Sequence, residues 1–410
     1  MIKDGRFRTF ISRNRGTFYL GFFALMISSI GDLFAGATLG FMTDTLELLP
    51  GLMVLIPPAI GMRGNIFGAL GSRLGTSMHV GTFEMSFRKG GTIRNNMESS
   101  LALTLVMSVL MGVMAKLVSE LFGFSSIPLE QFIFISVFGG VLAGLMLLAI
   151  TIFIARLGYY RGWDIDNVSA PIITAAGDVL TLPMLFVAAL FVLWGSDISY
   201  WTVEIFAVIS LLVASVVAIA NYRRKAGEAR RIFVHSMPAL IICTIMDIGA
   251  GLTIEHQLES IVLVPAIFVM IPPFLEDANS LGGILTSRLS SMLHMGTLEP
   301  RRFPGTEALE NFAIIYIFAL YVFTLVGVST YVVAWLIGLS PPPLTELVAL
   351  SLLAGLITVS ILNLISYYVA TVAFRFSLDP DDHSIPFTSS SIDFIGAAAL
   401  MGCILLLGIA

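Results

Sequence analysis

The sequence predicts an all-α polytopic membrane protein, built from two parallel five-helix repeats and one connecting transmembrane helix. Three observations predict this fold class: an apolar composition, long hydrophobic segments, and a constant register between the two halves of the chain. Hydrophobic residues make up 57% of the 410 residues, and charged residues only 12%. A soluble globular protein carries about 25% charged residues, because its surface faces water. The composition therefore excludes soluble enzymes and disordered chains, and the lack of a large basic block excludes nucleic acid as a partner.

The membrane spans follow from the length of the apolar segments. A helix that crosses a bilayer needs about 20 mostly apolar residues, because each residue advances 1.5 Å through a core of ~30 Å. We predict eleven spans, near residues 17–42, 46–62, 98–123, 130–155, 170–195, 200–221, 232–254, 259–275, 310–338, 346–374 and 385–409.

The positive charges predict the orientation of these spans. If the N-terminus lies inside, all but one of the 22 Lys and Arg residues fall in the N-terminal segment or in inner loops, and the exception, Lys116, lies within a helix. The loop after the second span, from Arg63 to Arg94, is one of these basic inner segments. Outer loops carry acids instead. Since cytoplasmic loops retain Lys and Arg, we expect the N-terminus inside and the C-terminus outside.

An internal repeat relates the two halves of the chain. A shift of 215 residues aligns Ile56-Pro57-Pro58 with Ile271-Pro272-Pro273, and residues 56–84 match residues 271–299 at 12 of 29 positions. We predict three parts: a first repeat with its basic N-terminal segment at 1–198, a linking helix and basic loop at 199–231, and a second repeat at 232–410. Five crossings would invert the second copy, and the linking span restores its orientation. We therefore expect parallel repeats, related by a pseudo-two-fold axis along the membrane normal.

Four aspartates lie inside predicted spans, in two symmetric pairs. Asp32 and Asp247 are midway along the first helix of each repeat, and Asp178 and Asp393 lie in the fifth. A charge at the membrane centre costs on the order of 3 kcal/mol even on a lenient scale. Unpaired carboxylates that face one axis favour a bound cation, and all-oxygen sites suit Mg²⁺, Ca²⁺ or Mn²⁺. We therefore expect these four residues to bind a metal ion that keeps much of its water shell.

Two further groups of residues are candidates for a role in ion passage. Acidic and hydroxyl residues near the start of each fifth helix are candidates for an inner mouth or a supporting contact, although Asp and Asn also cap helices routinely; they are Asp164, Asp166, Asn167, Thr174, Asp379, Asp381, Asp382 and Ser389. The Pro- and Gly-rich second segments of both repeats predict broken helices, which are typical of transport paths. Their candidates for a gating loop are Pro58, Gly64, Asn65, Arg73, Pro273 and Arg288.

The motif Pro58-Ala-Ile-Gly-Met-Arg-Gly-Asn65 resembles the signature of the MgtE-type divalent-cation transporter family, as does the Asp-x-Asp, Pro, Thr, Gly-Asp pattern that ends at Asp178. The second repeat departs from the first motif, with Glu276-Asp277-Ala278-Asn279-Ser280 at the corresponding place. The chain looks like the form with two fused MgtE domains, as in eukaryotic solute-carrier magnesium transporters. This resemblance implies that one chain supplies a whole pathway, and that Asp178 and Asp393 bind hydrated Mg²⁺.

The expected function is transport of Mg²⁺ across the plasma membrane, with Mn²⁺ or Co²⁺ as other possible cargo and with no enzymatic activity. Channel and exchanger mechanisms both remain open. One alternative is a cation-coupled transporter of another substrate. A second is an intramembrane aspartyl protease, which needs two facing Asp residues. The protease is disfavoured, because four symmetric aspartates exceed a dyad and the counterpart of Gly177 is Ile392.

Overall fold

The computed structural model describes residues 15–88, 90–161, 165–198, 200–225, 227–376 and 384–409. Every regular element in these ranges is a helix, which confirms the all-α prediction. The helices are α1 (Arg15–Phe41), α2 (Thr43–Leu48), α3 (Leu52–His79), α4 (Thr92–Leu121), α5 (Leu129–Arg161), α6 (Ile165–Ile198), α7 (Tyr200–Arg223), α8 (Glu228–Glu255), α9 (Leu258–Ile261), α10 (Ala266–His294), α11 (Thr306–Leu336), α12 (Leu344–Phe376) and α13 (Ile385–Leu407).

Ten helices in the described ranges are long and apolar enough to cross a membrane, so the chain is an integral multi-pass membrane protein. The long helix outside this set is α10, which carries Glu276, Asp277 and Arg288. It packs against α1, α11, α12 and α13, and its residues 266–275 are all buried. A helix that is surrounded by protein can carry charged side chains that a lipid-facing helix could not. The count of eleven spans and the inward N-terminus remain predictions.

The register of 215 residues found in the sequence is preserved in the fold. We name α1–α6 repeat 1 and α8–α13 repeat 2, and we count the long helices of each repeat from first to fifth, leaving out the short helices α2 and α9. Three pairs of helices end at equivalent residues: α3 and α10 at His79 and His294, α4 and α11 at Leu121 and Leu336, and α5 and α12 at Arg161 and Phe376. The long connecting helix α7 packs on α4, α5, α6 and α8.

The first helix of each repeat packs on the other repeat. Helix α1 contacts α10 and α11, and its equivalent α8 contacts α3 and α4. Each first helix also contacts the fifth helix of its own repeat, α1 on α6 and α8 on α13. These contacts interchange under the 215-residue shift, as a pseudo-two-fold relation requires. We call α1 and α8 the exchanged helices, because each packs on the other repeat. Their contacts join the two repeats into one helical body.

The expectation that prolines break the second helix of each repeat is wrong. Helix α3 runs continuously through Pro57 and Pro58, and α10 runs through Pro272 and Pro273, so the proposed gating residues Pro58, Gly64, Asn65, Arg73, Pro273 and Arg288 lie on helices and not in loops. A proline within a helix leaves the carbonyl four residues earlier without its usual donor. In membranes such a helix persists where neighbouring helices cover the exposed backbone.

Glycines on the exchanged helices provide this cover. A Cβ atom added to Gly251 of α8 would lie 2.6 Å from the carbonyl oxygen of Val54, which Pro58 leaves without a helical donor. The symmetric contact joins Gly36 of α1 to the carbonyl oxygen of Val269. Each close approach therefore packs an exchanged helix directly on the proline-containing turn of its partner.

Arg63 is a second correction, because the charge count assigned it to an inner loop. The structure places Arg63 within α3 with 0% exposure, and its guanidinium donates to Ser108 Oγ of α4 at 3.2 Å. The same guanidinium packs on Gly140 of α5. Charge counting misplaced Arg63 because a buried arginine and a loop arginine look the same in sequence.

Repeat 2 fills the equivalent space with a different pair of residues. Ala278 replaces Arg63, and Phe323 replaces Ser108. The Phe323 ring packs on Gly355, the counterpart of Gly140. An arginine from the second helix and an aromatic ring from the third are thus alternative ways to fill one cavity.

We expect Gly251→Ala to lower the apparent melting temperature of the purified protein. The added methyl group meets backbone atoms of Met53 and Val54, which cannot move aside, and such overpacking costs about 1–3 kcal/mol. Gly68→Ala is the matched control, since no atom lies within 4 Å of its added Cβ and helical alanine is favoured over glycine. Equal melting temperatures for the two variants would contradict the proposed close packing.

Exchanging the cavity residues between repeats tests whether Arg63 and Phe323 fill equivalent spaces. Arg63→Ala should destabilise by leaving a cavity, and Ser108→Phe should destabilise by clashing with Arg63. The double variant reproduces the repeat 2 solution, so its melting temperature should exceed the additive expectation, with a coupling of about 0.5–3 kcal/mol. If the stability losses of the two single variants simply add in the double variant, the two side chains occupy separate spaces.

Candidate functional site

The four predicted aspartates lie together where the exchanged helices cross. Asp32 and Asp247 are 0% exposed, and Asp178 and Asp393 are each 3% exposed. Packing of α1 on α6 places Asp32 beside Asp178, and packing of α8 on α13 places Asp247 beside Asp393. The two pairs also meet, because Asp393 lies within electrostatic range of Asp178. The fold therefore joins carboxylates that are 146 residues apart within each repeat, as the difference between 178 and 32 shows.

Few neutral groups satisfy these carboxylates. Ser28 donates a long hydrogen bond of 3.4 Å to Asp32 Oδ2, and Asn279 Nδ2 donates to Asp393 Oδ1 at 2.9 Å. Asp32 Oδ1 and both carboxylate oxygens of Asp247 are buried without a hydrogen-bond partner. A buried charged group is costly unless it is paired. These oxygens therefore favour a bound cation or a proton.

Basic side chains do not neutralise the cluster in the part of the chain that the structure describes. Ion pairs there join Arg94 and Arg224 to Glu98, Lys116 to Glu120, and Arg301 to Glu299. Lys116, the one basic residue that the sequence places within a span, also donates to Ser126. It is engaged away from the aspartates.

Sequence reasoning missed two acidic members of the cluster. Glu276 lies within electrostatic range of all four aspartates, and Asp277 accepts a hydrogen bond from Ser29 Oγ of α1. The signal was present in the sequence, since two adjacent acids directly follow the predicted span at 259–275. In the sequence they mark a departure of the second repeat from the first motif.

A buried hydroxyl group lies beside the carboxylates. No group of three or more His, Cys, Asp or Glu side chains within the described ranges is arranged to hold a metal ion directly. Mg²⁺ releases its waters reluctantly and is usually held through only one or two carboxylates. The hydroxyls of Thr388 and Ser390 on α13 are buried without hydrogen-bond partners, and Ser390 lies beside Asp247. They could accept or donate to such waters.

The supporting residues are only partly described. Thr174 is half-buried, with its methyl group 3.9 Å from a Cβ added at Gly64, and Ser389 of α13 is also half-buried. Asp164, Asp379, Asp381 and Asp382 lie outside the described residues, and the side chains of Asp166 and Asn167 are likewise not described. Their predicted role at an inner mouth stays a prediction.

The predicted arginines have a packing role in the structure. Arg73 Nε donates to Asn96 Oδ1 at 2.9 Å, and its repeat equivalent Arg288 Nε donates to Asn311 Oδ1 at the same distance. Each contact joins the second helix of a repeat to the third. Neither arginine is in contact with the aspartate cluster through these bonds.

Comparison with known proteins agrees with the internal repeat. The family described as MgtE, divalent cation transporter, matches residues 56–188 and again residues 271–403, two segments that differ by the 215-residue register. No solved structure matches the chain.

Relatives match along nearly the whole chain. Solute carrier family 41 member 3 of Rattus norvegicus is 25% identical over 93% of this chain and 85% of its own length. Solute carrier family 41 member 2 of Xenopus laevis is 27% identical over 92% of this chain and 69% of its own length. With the family matched over more than half of its residues, the chain belongs to the MgtE family of divalent cation transporters.

Proposed function

We propose that this protein transports Mg²⁺ along a path between its two repeats, with the hydrated ion attracted by Asp32, Asp178, Asp247 and Asp393. The observation that carries the proposal is the burial of these carboxylates without a cationic partner in the described part of the chain. Their mutual repulsion makes the empty cluster unfavourable, and a divalent ion removes that repulsion. The site therefore favours the binding of positive charge.

The ligand chemistry supports Mg²⁺ over softer metals. The groups at the cluster are carboxylates, an amide and hydroxyls, which are the oxygen ligands that hard cations prefer. Cys243 is buried one helical turn before Asp247, but a single thiol does not make a site for Zn²⁺ or Cu. Mn²⁺ and Co²⁺ are proposed as secondary cargo because they also accept oxygen ligands.

Other parts of the proposal concern the protein as a whole. One chain contains both repeats and so supplies a complete pathway, with the division at 1–198, 199–231 and 232–410. We place the protein in the plasma membrane and assign it no enzymatic reaction. The inner-mouth aspartates and Thr174 and Ser389 are proposed to guide the hydrated ion towards the cluster.

Flux in proteoliposomes tests the function. Mg²⁺ uptake by the unaltered chain should fall to background in Asp178→Asn/Asp393→Asn, because both symmetric pairs lose a charge while side-chain volume is kept. Asp44→Asn, an exposed position on α2, should transport as the unaltered chain does. Full flux in a folded double variant would move the path away from the cluster, and repeating the assay with a Na⁺ gradient separates exchanger from channel.

A stability measurement tests the electrostatic argument separately. Asp247→Asn removes a carboxylate whose two oxygens are buried without partners, so the variant should melt at a higher temperature than the unaltered chain in Mg²⁺-free buffer. The stabilisation that added Mg²⁺ produces should shrink in the same variant. A lower melting temperature without Mg²⁺ would mean that the Asp247 carboxylate is satisfied by the fold itself.

A further inference from the structure

Two adjoining cavities lie at the N-terminal end of α8. The first, of about 510 Å³, is lined by Arg230, Arg231 and His235 together with the first residues of the helix, and we call it the basic pocket. The second, of about 580 Å³, is an apolar groove that runs along α8 from Val234 to Cys243. Val234 and His235 line both cavities, so the basic pocket opens directly into the groove.

The groove has the dimensions of a lipid chain. It lies between α8 and α12, which both pack on α13, and exposed apolar side chains from all three helices line it, among them Ile242, Val372 and Phe387. The nine residues from Val234 to Cys243 span about 14 Å of helix, which is roughly half of a ~30 Å hydrocarbon core. The groove therefore matches the depth that an acyl chain occupies in one leaflet.

The basic pocket lies at the end of the groove where a phospholipid carries its headgroup. Arg230 Nε donates to the carbonyl oxygen of Tyr222 at 3.0 Å, and Arg231 is exposed. Neither arginine belongs to an ion pair among the described residues. Glu228, an acidic residue that lines the same pocket, accepts a hydrogen bond from Asn95 Nδ2 of α4 at 2.9 Å. Guanidinium groups that lack a carboxylate partner are well suited to bind a phosphate.

A buried hydroxyl at the start of α13 adds a polar contact near the groove entrance. Ser384 lines the groove and is 3% exposed, and its Oγ atom has no hydrogen-bond partner in the part of the chain that the structure describes. A buried donor without an acceptor is costly. The ester carbonyl groups of a phospholipid, which lie between headgroup and chains, are acceptors for this hydroxyl.

Repeat 1 carries different residues at the equivalent surface. Three of its side chains are larger and one lacks the positive charge: Tyr19 for Val234, Phe23 for Pro238, Leu157 for Val372 and Gly16 for Arg231. The larger side chains narrow a groove between α1 and α5, and the missing arginine weakens attraction for an anion. The combination of pocket and groove is therefore a feature of repeat 2.

We propose that the N-terminal end of α8 binds an anionic phospholipid, with its phosphate at Arg230 and Arg231 and one acyl chain in the groove between α8 and α12. A basic pocket by itself would accept any soluble phosphate, and an apolar groove by itself any apolar chain. Their continuity selects a molecule with both parts, and basic pockets between membrane helices bind lipid headgroups in this way. The site is independent of the ion that the protein transports.

Lipid binding to the purified whole chain in detergent tests the headgroup contact. Native mass spectrometry should show tighter binding of dioleoyl phosphatidylglycerol than of dioleoyl phosphatidylcholine, which has the same chains and no net charge. In Arg230→Gln/Arg231→Gln the dissociation constant for phosphatidylglycerol should rise about tenfold or more, since each basic residue near an anionic lipid contributes about fivefold. Arg156→Gln/Arg161→Gln is the matched control, because it removes the same charge from exposed positions on α5 and should leave the constant within about twofold.

Filling the groove tests the chain contact while both arginines are kept. Val234→Tyr/Val372→Leu introduces the residues of repeat 1 and should weaken binding of both lipids about tenfold, which corresponds to the loss of roughly two buried methylene contacts. The matched control is Val208→Tyr/Val216→Leu, which makes the same changes at exposed positions of α7. This control should bind both lipids as the unaltered chain does.

Three results would overturn the lipid site. Unchanged phosphatidylglycerol binding in either the arginine or the groove variant would remove the corresponding contact. Displacement of the lipid by glycerol phosphate, which has the charged group without chains, would show a site for soluble anions. If light scattering shows that the groove variant changes the oligomeric state while lipid binding is unaltered, a second copy of the chain covers the groove. Retained Mg²⁺ flux in the arginine variant is expected, so failure of the lipid site leaves the transport function standing.

Discussion

The exchanged packing of the two first helices is the contact on which the rest of the structure depends. Helix α1 lies on α10 and α8 lies on α3, each fixed by a glycine that approaches a backbone carbonyl exposed by a proline. The prolines contribute to this packing, because each leaves a backbone carbonyl without its helical donor at the point where the partner helix is closest. It also decides which side chains meet at the centre. Without the exchange, the aspartates of the first helices would not face the second helix of the other repeat, and no shared cluster would form.

The cluster opposes the stability of the fold that holds it. Apolar side chains fill the space between the helices, and such burial stabilises the protein by roughly 25 cal/mol for each Å² removed from water. Buried carboxylates without partners work against that gain. If the protein's own side chains satisfied these carboxylates fully, the cluster would attract a cation less strongly. A transporter therefore keeps unsatisfied carboxylates at a cost in stability.

Symmetry is retained at packing contacts between helices and at the four aspartates, and it is lost at three other charged residues. The bonds from Arg73 to Asn96 and from Arg288 to Asn311 are equivalent, and Ser136 and Ser351 make equivalent hydrogen bonds to the backbone of the third helix. In contrast, Arg63, Glu276 and Asp277 have no charged counterparts in the opposite repeat. Packing contacts serve both halves alike, so their residues are the same in the two repeats.

The sequence by itself determined the membrane class, the helical fold, the 215-residue repeat and the four buried aspartates, because composition, apolar segment length and repeated landmarks are local properties of the chain. Tertiary structure alone decided that the prolines lie within continuous helices, that Arg63 is buried, and that Glu276 and Asp277 belong to the acid cluster. Each of these depends on the neighbouring helix: a glycine that covers a freed carbonyl, a cavity between α3, α4 and α5, and a crossing that brings α10 to α1 and α6. The hydrophobic pattern predicts which residues avoid water. It does not predict which helix a buried face contacts, because that contact is determined by packing between residues far apart in the chain.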